Sequence, residues 1–261
     1  MFIFIENPER SIPDAALFFG KSLWKIGDIL KHFRYKPYKF RPVQNLTEEN
    51  KRQRVEFCRE MLARINRDPV FLTKILFTDE ATFTTAGMFN RKNKHFWATD
   101  NPQKKQVTKI QGRKSFHVWC GILGNKVMGP IFFDGNMTGQ KYLDLLHNEI
   151  ENCIETIPLR QYNELIWQQD GAPGHNVAPV TNFLNEKYDL WIGRHGQILW
   201  PANSPDLSPL DLFLWGYLKN KVYYNRTHNL DELGAKITEE ILSLNEINPI
   251  LYIPLTQLRV N

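Results

Sequence analysis

Between Ile12 and Phe33 apolar positions recur at helical spacing, through Ala16 and Phe19 and then Leu23, Ile26, Ile29, Leu30 and Phe33, with Gly20 breaking the run. That pattern predicts two short helices around a turn, the outline of a small helix-turn-helix. Thr47, followed by Glu48 and Glu49, marks the start of a third helix, with Val55, Cys58, Leu62 and Ile65 as its expected apolar stripe up to Pro69. Past Pro69 the pattern changes to β-type runs: Lys74 to Thr78, Ser115 to Ile122, Lys126 to Phe133 and Glu164 to Gln169. The turn Leu123-Gly124-Asn125 joins the middle two. After Thr138 a helix should carry Leu143, Leu146, Ile150 and Ile154 or Ile157 inward and end near Pro158. Strand, hairpin, helix, strand and then helices make an α/β core with a helical appendage.

The expected boundaries are 1–45 for the helix-turn-helix and a basic linker, 46–70 for a connecting helix, 71–228 for the α/β core and 229–261 for a C-terminal helical segment. Only 85–115 inside the core lacks a regular pattern, and a loop of that length usually has a function. Neither an internal repeat nor a low-complexity tract occurs.

With 42% hydrophobic and 23% charged residues in 261, the composition is that of an ordinary globular chain and excludes disordered and fibrous classes. The net charge of +5 is segregated: up to Asp68 there are 14 Lys and Arg against 9 Asp and Glu, which leaves 19 of each in the remainder. Lys21, Lys25 and Lys31 fall on or near the second helix, and Arg34, Lys36, Lys39 and Arg41 follow it, where a recognition helix and its tail meet DNA. A second basic block from Arg91 to Lys126 has nine basic residues and one acid, Asp100. Its Arg91, Lys92, Lys94, Lys104, Lys105, Arg113 and Lys114 are candidate phosphate contacts, with His95 and Trp97 beside them. A charge run can equally be a solvated face. Cys58, Cys120 and Cys153 lie far apart among apolar neighbours, which suits buried thiols better than disulfides or zinc. The opening Met-Phe-Ile-Phe-Ile meets Glu6 and Glu9 without basic residues, so neither a signal peptide nor a membrane span is expected.

Three acids sit where chemistry could use them. Asp79 ends the run Ile75-Leu76-Phe77-Thr78, and strand alternation sends Asp79 and Glu80 to opposite faces. Asp170 closes Leu165 to Gln169 and precedes Gly171-Ala172-Pro173-Gly174, a strand end yielding to a tight turn. Asp211 follows Ser208 and Pro209 as the third residue of a helix, where a capping acid needs no further role; Asp206 shares that ambiguity. Two strand-end carboxylates and one at a helix start could hold one or two Mg²⁺ ions, which take oxygen ligands and leave positions for water and phosphate. Two such ions activate a nucleophile and stabilise the leaving oxygen of an in-line displacement. Gly20-Lys21-Ser22 mimics the end of a phosphate-binding loop, but Ala15 stands where glycine is needed and Leu17, Phe18 and Phe19 cannot form the backbone nest.

By the order of its motifs the chain resembles the mariner-type transposases of the DDE/DDD superfamily. Phe77-Thr78-Asp79-Glu80 is similar to the family's first-aspartate block, Gln168-Gln169-Asp170-Gly171-Ala172-Pro173-Gly174-His175 to its second, and Ser204-Pro205-Asp206-Leu207-Ser208-Pro209-Leu210-Asp211 to its third. Trp119-Cys120-Gly121-Ile122 is similar to its central hairpin and Leu212-Phe213-Leu214-Trp215-Gly216 to the helix after the third carboxylate. The resemblance implies a ribonuclease-H-like mixed sheet flanked by helices, carrying the second of the family's paired helix-turn-helix units, with 85–115 as a clamp-like loop. It selects Asp211 over Asp206 and implies Asp79, Asp170 and Asp211 as catalytic and metal residues for two Mg²⁺ or Mn²⁺ ions. His175, five residues after Asp170, could touch a phosphate or support the metal shell, or equally be a local hydrogen-bonding residue at a helix start. The implied function is cleavage of transposon ends and strand transfer, with double-stranded DNA (inverted repeats and target) and a second copy of the chain as partners, in the nucleus and without a membrane. Forty residues separate Asp170 from Asp211, more than in well-known members, which places an insertion at 193–197. The first helix-turn-helix lacks a counterpart, and Pro249 and Pro254 fall where relatives carry a terminal helix. These departures suggest truncation at both ends and keep open a catalytically inactive, transposon-derived DNA-binding protein.

Overall fold

The computed structural model describes residues 12–35, 45–85, 114–224 and 229–246. The chain forms two compact units, Met1–Gln44 and Asn45–Asn261. In the first, α1 (Ile12–Phe19) and α2 (Leu23–His32) turn about Gly20, whose φ of +61° a residue without a Cβ adopts freely. Ser22 caps α2, its hydroxyl oxygen accepting from the Lys25 amide at 3.2 Å. The helices close on Ala15, Ala16 and Ile26, with Leu30 partly buried. The buried stripe is narrower than the sequence pattern implies, because helices of 8 and 10 residues enclose so small a core. Phe19, Leu23 and Phe33 stay exposed. Lys21, Lys25, Lys31 and Arg34 are exposed too, Lys25 standing 3.7 Å from Asp28.

The second unit opens with α3 (Glu48–Arg67). Thr47 and Asn50 form a reciprocal capping box, the Asn50 amide donating to Thr47 Oγ1 at 3.2 Å and the Thr47 amide to Asn50 Oδ1 at 3.1 Å. The expected stripe needs correction. Phe57 and Met61 are the buried pair and Cys58 and Ile65 pack beside them, while Val55 and Leu62 are exposed. A face centred on residues four apart cannot also turn inward the residue one step further, about 100° around the axis.

Six strands follow: β1 (Ile75–Thr84), β2 (Ser115–Leu123), β3 (Lys126–Phe133), β4 (Ile166–Gln168), β5 (Trp191–Gly193) and β6 (Ile198–Leu199). They lie in the order β3-β2-β1-β4-β5-β6. β2 runs antiparallel to β1 and β3, whereas β4, β5 and β6 continue parallel from β1. Gly124, at φ +59°, makes the tight β2–β3 turn. Alternation along β1 sends Ile75, Phe77, Ala81 and Phe83 to one face and Leu76 to the other, and a separate core forms on each.

Beside α3, the first core is closed by α8 (Trp215–Val222) and α9 (Leu230–Glu246), through Leu218, Val222, Leu233, Ile237 and Ile241. The second is closed by α4 (Gly139–Leu145), which continues through one π-helical turn (Leu146–Ile150) into α5 (Glu151–Ile154), and by α7 (Ala178–Lys187). The short α6 (Leu159–Asn163) leads into β4. Leu146, Ile150, Ile154 and Ile157 point inward as their spacing predicts, and Leu143 is only partly buried. All three cysteines are free thiols; Cys120 is buried, Cys58 and Cys153 half-buried. Among the described residues no helix is long and apolar enough to cross a membrane. Lys36, Lys39, Arg41, Pro249 and Pro254 lie outside the described residues, as do 86–113, which hold Arg91, Lys92, Lys94, His95, Trp97, Lys104, Lys105 and Arg113.

Candidate active site

β1 places two adjacent acids in the middle of the sheet, Asp79 opposite Cys120 and Glu80 opposite Trp119 on β2. The alternation that separates the two cores also separates these acids. Asp79 turns toward α8, where the Trp215 indole donates from Nε1 to Asp79 Oδ2 at 2.7 Å. Glu80 turns toward α4, with Oε2 3.3 Å from His175 Nε2.

Asp170 leaves the end of β4 and folds back on its own turn. Its Oδ1 accepts from the Ala172 amide at 2.9 Å and lies 2.8 Å from His175 Nδ1. The 3₁₀ turn Pro173–Asn176 puts the His175 side chain 97% out of solvent, its side-chain exposure being 3%. Gly174 permits that turn to sit where it does, since a Cβ there would stand 2.8 Å from the Met137 carbonyl oxygen. Tyr142 packs its ring 4.0 Å from the imidazole and donates to Gln169 Oε1 at 3.0 Å, while Gln169 Nε2 donates to the His175 carbonyl at 3.0 Å. Thr78 Oγ1 donates to the Gln168 carbonyl at 2.7 Å, locking β4 to β1 beside the acids.

The third acid comes from the other core. Pro205–Leu207 forms a 3₁₀ turn, Ser208 and Pro209 open the next helix, and its first stretch is a π-helical turn (Leu210–Leu214) running into α8. The Leu212 amide donates to the Ser208 carbonyl at 3.0 Å, so the expected cap is in place. Asp211 stands exposed four residues before Trp215. Asp206 faces away from this group: its carboxylate takes both ends of the Arg54 guanidinium on α3, one at 2.8 Å.

The electrostatics connect these acids. Burial, then the charge of Asp211, then that of Glu80 push the Asp79 carboxyl up to about 7. Asp211 is raised by burial and by the charge of Asp170. Asp170 is lowered: burial opposes its ionisation, but the His175 hydrogen bond and charge outweigh it. His175 is raised to about 10, burial being outweighed by Asp170 and Glu80. Lys219, one turn beyond Trp215, is half-buried and lowered by burial, while the charges of Asp211 and Asp79 pull the other way. Asp211 thus links the other two, its charge acting on Asp79 and that of Asp170 acting on it. Among the described residues, no three His, Cys, Asp or Glu side chains already close around a point a metal ion could take. Trp215, Lys219 and Tyr142 were not singled out for this site by the sequence, although a buried indole needs a partner for its N–H.

A mixed sheet of this order, flanked by helices and carrying acids on β1, after β4 and at the start of α8, defines a ribonuclease-H-like fold. The particular likeness is to mariner/Tc1 transposases of the DDE group, in sequence and in fold. The Transposable element Tc3 transposase of Caenorhabditis elegans is 26% identical over 192 residues, 73% of this chain and 53% of its own. The Histone-lysine N-methyltransferase SETMAR of Homo sapiens is 24% identical over 232 residues, 85% of this chain and 31% of its own. The chain therefore spans about half the length of the first and a third of the second. Among solved structures, the mariner Mos1 paired end complex with Mg superposes with a TM-score of 0.77 at 18% identity, covering 92% of this chain and 69% of that one. No family model matches the chain.

Proposed function

We infer that this chain is the catalytic part of a mariner-type DNA transposase, cutting transposon ends and joining them to target DNA with the help of divalent metal ions. The observation that carries this reading is the electrostatic link of Asp211 to Asp79 and to Asp170, three acids from three separate elements. Burial raises Asp79 most, and carboxylates gathered without a cation add to it by repulsion. Hard oxygen donors with this repulsion fit Mg²⁺ or Mn²⁺, which reverse it. When bound, such ions activate the attacking oxygen and stabilise the leaving one.

Asp79 is the ligand both ions share in this reading, with Asp170 and Asp211 serving one each. Trp215 holds Asp79 Oδ2 from the α8 side. Lys219 lies where it can meet a phosphate drawn toward the acids. Lys21, Lys25, Lys31 and Arg34 of the first unit and Lys114 of the second each serve as DNA contacts in this reading, and pairing of two chains on two DNA ends is suggested by the solved Mos1 structures, which include a paired-end complex and a strand transfer complex. Work on chromosomal DNA places the protein in the nucleus.

Nicking of supercoiled plasmid in Mn²⁺ tests the reading. The intact protein is expected to nick, and to stop when EDTA is added or when Asp79 becomes Asn. Nicking that survives either change rules the assignment out. DNA binding with no nicking at all points to the inactive, DNA-binding alternative.

A further inference from the structure

The His175 side chain is buried at 3% exposure, and both of its ring nitrogens face carboxylate oxygens: Nδ1 stands 2.8 Å from Asp170 Oδ1 and Nε2 stands 3.3 Å from Glu80 Oε2. The Nε2 contact is an ion pair without hydrogen-bond alignment, and Glu80 Oε1 is buried with no hydrogen-bond partner among the described residues. Glu80 is mostly enclosed, with side-chain exposure of 15%, on the opposite face of β1 from Asp79. Asp170 Oδ1 has two donors, the Ala172 amide and the imidazole, and no hydrogen bond to Oδ2 is seen among the described residues.

We propose that His175 is a positioning residue that fixes Asp170 by engaging Oδ1, so that Oδ2 alone is presented to a metal ion, and that Glu80 is the anchor that holds the imidazole in this orientation. The inference rests on the reading of Asp170 as a metal ligand. A histidine between a ligating carboxylate and a second, non-ligating one is the inverse of the common arrangement in which a carboxylate orients a metal-bound histidine, and it acts by the same physics: it fixes the orientation of its partner, here the Asp170 carboxylate rotamer. Tyr142 against the ring, Gln169 on the His175 carbonyl and Gly174 under the turn leave the imidazole one seat. A carboxylate free to spin would offer either oxygen, or both, and lose part of its affinity to that freedom.

The two nitrogens can be separated by substitution, because an Asn amide reaches where Nδ1 was and a Gln amide reaches where Nε2 was. Mn²⁺ binding to the full chain, measured by calorimetry and by electron paramagnetic resonance without DNA, is the readout. His175→Asn, which keeps the Asp170 contact but gives up the Glu80 anchor, should lose no more Mn²⁺ affinity than Glu80→Gln, while His175→Gln should lose about 10- to 100-fold, the usual effect of removing an outer-shell partner. Glu80→Gln keeps the side-chain shape and should lose about threefold to tenfold, within the same span. Equal affinities for the Asn and Gln variants overturn the proposal if both retain the native thermal transition. Should either variant fail to fold, Glu80→Gln decides: unchanged Mn²⁺ affinity in it also overturns the proposal. Asp170→Asn separates the two levels. If Mn²⁺ binding survives in Asp170→Asn, the metal-ligand reading itself falls, whereas loss there with no effect at position 175 or 80 removes only the positioning role.

Discussion

β1 delivers neighbouring carboxylates to opposite faces of one sheet, and the faces treat them differently. Toward α8, Asp79 is buried and stands in the fields of Asp211 and Glu80, which outweigh the Trp215 indole and the Glu80 backbone as donors, so it holds its proton up to about 7. Toward α4, Glu80 and Asp170 share an imidazole enclosed by Tyr142 and Gln169. One face carries more negative charge than the half-buried Lys219 offsets; the other pairs Glu80 and Asp170 Oδ1 with His175 and leaves only Asp170 Oδ2 without a hydrogen bond among the described residues. The difference teaches where chemistry is stored: in the half of the site that folding leaves electrostatically unsatisfied.

The largest break in that comparison should come from Asp79→Asn. Plasmid nicking in Mn²⁺ should fall beyond the roughly 100-fold that loss of an outer-shell partner costs, while DNA retention in a gel-shift assay stays near native.

Next comes stability without metal. In EDTA the folded Asp79 binds its proton up to about 7, whereas in the unfolded chain it does so only up to about 4. The folded state therefore carries the extra proton between these values, and its stability falls as pH rises from about 4 to about 7. His175 adds a second window. Its folded value of about 10 lies above the unfolded one, so its contribution is complete below about 6.5 and is lost as pH rises toward 10. Asp79→Asn should flatten the lower window and stabilise the metal-free protein at pH 7 by on the order of 3 kcal/mol, read from urea unfolding at several pH values. A variant no more stable than native at pH 7 removes the claim of an unsatisfied face.

Trp215→Phe sharpens the comparison from the other side. It keeps an aromatic body and deletes the Nε1 donor, so Mn²⁺ affinity should weaken about tenfold, and the pH at which Mn²⁺ binding reaches half its maximum should rise. The smallest effect belongs to Asp206→Asn. An ion pair this exposed contributes about 1 kcal/mol or less, and nicking should be unchanged, in contrast to Asp211→Asn.

The half of the site carried by local pattern could be read from the sequence. Alternation separated Asp79 from Glu80, the strand end before Gly171 located Asp170, and Ser208-Pro209 announced the helix that bears Asp211. What escaped was the long-range pairing. The Trp215 indole meets Asp79 across 136 residues, and Arg54 meets Asp206 across 152. No periodicity encodes which buried indole will find a carboxylate, and Trp215 read simply as core, which it also is. The stripe on α3 was misjudged for a related reason: Val55 and Leu62 are apolar enough to be inside, but Phe57 and Met61 meet the core first and fix the helix rotation.

The wide turn at Leu210–Leu214 sets Asp211 by backbone count more than by side-chain identity. Exchanges there that preserve length leave the carboxylate beside Trp215, whereas losing or gaining one residue swings everything upstream by about 100° relative to α8. Evolution can therefore rewrite the letters of this stretch far more freely than its length, and an aligned relative with a gap inside it would have to rebuild its third acid from another position.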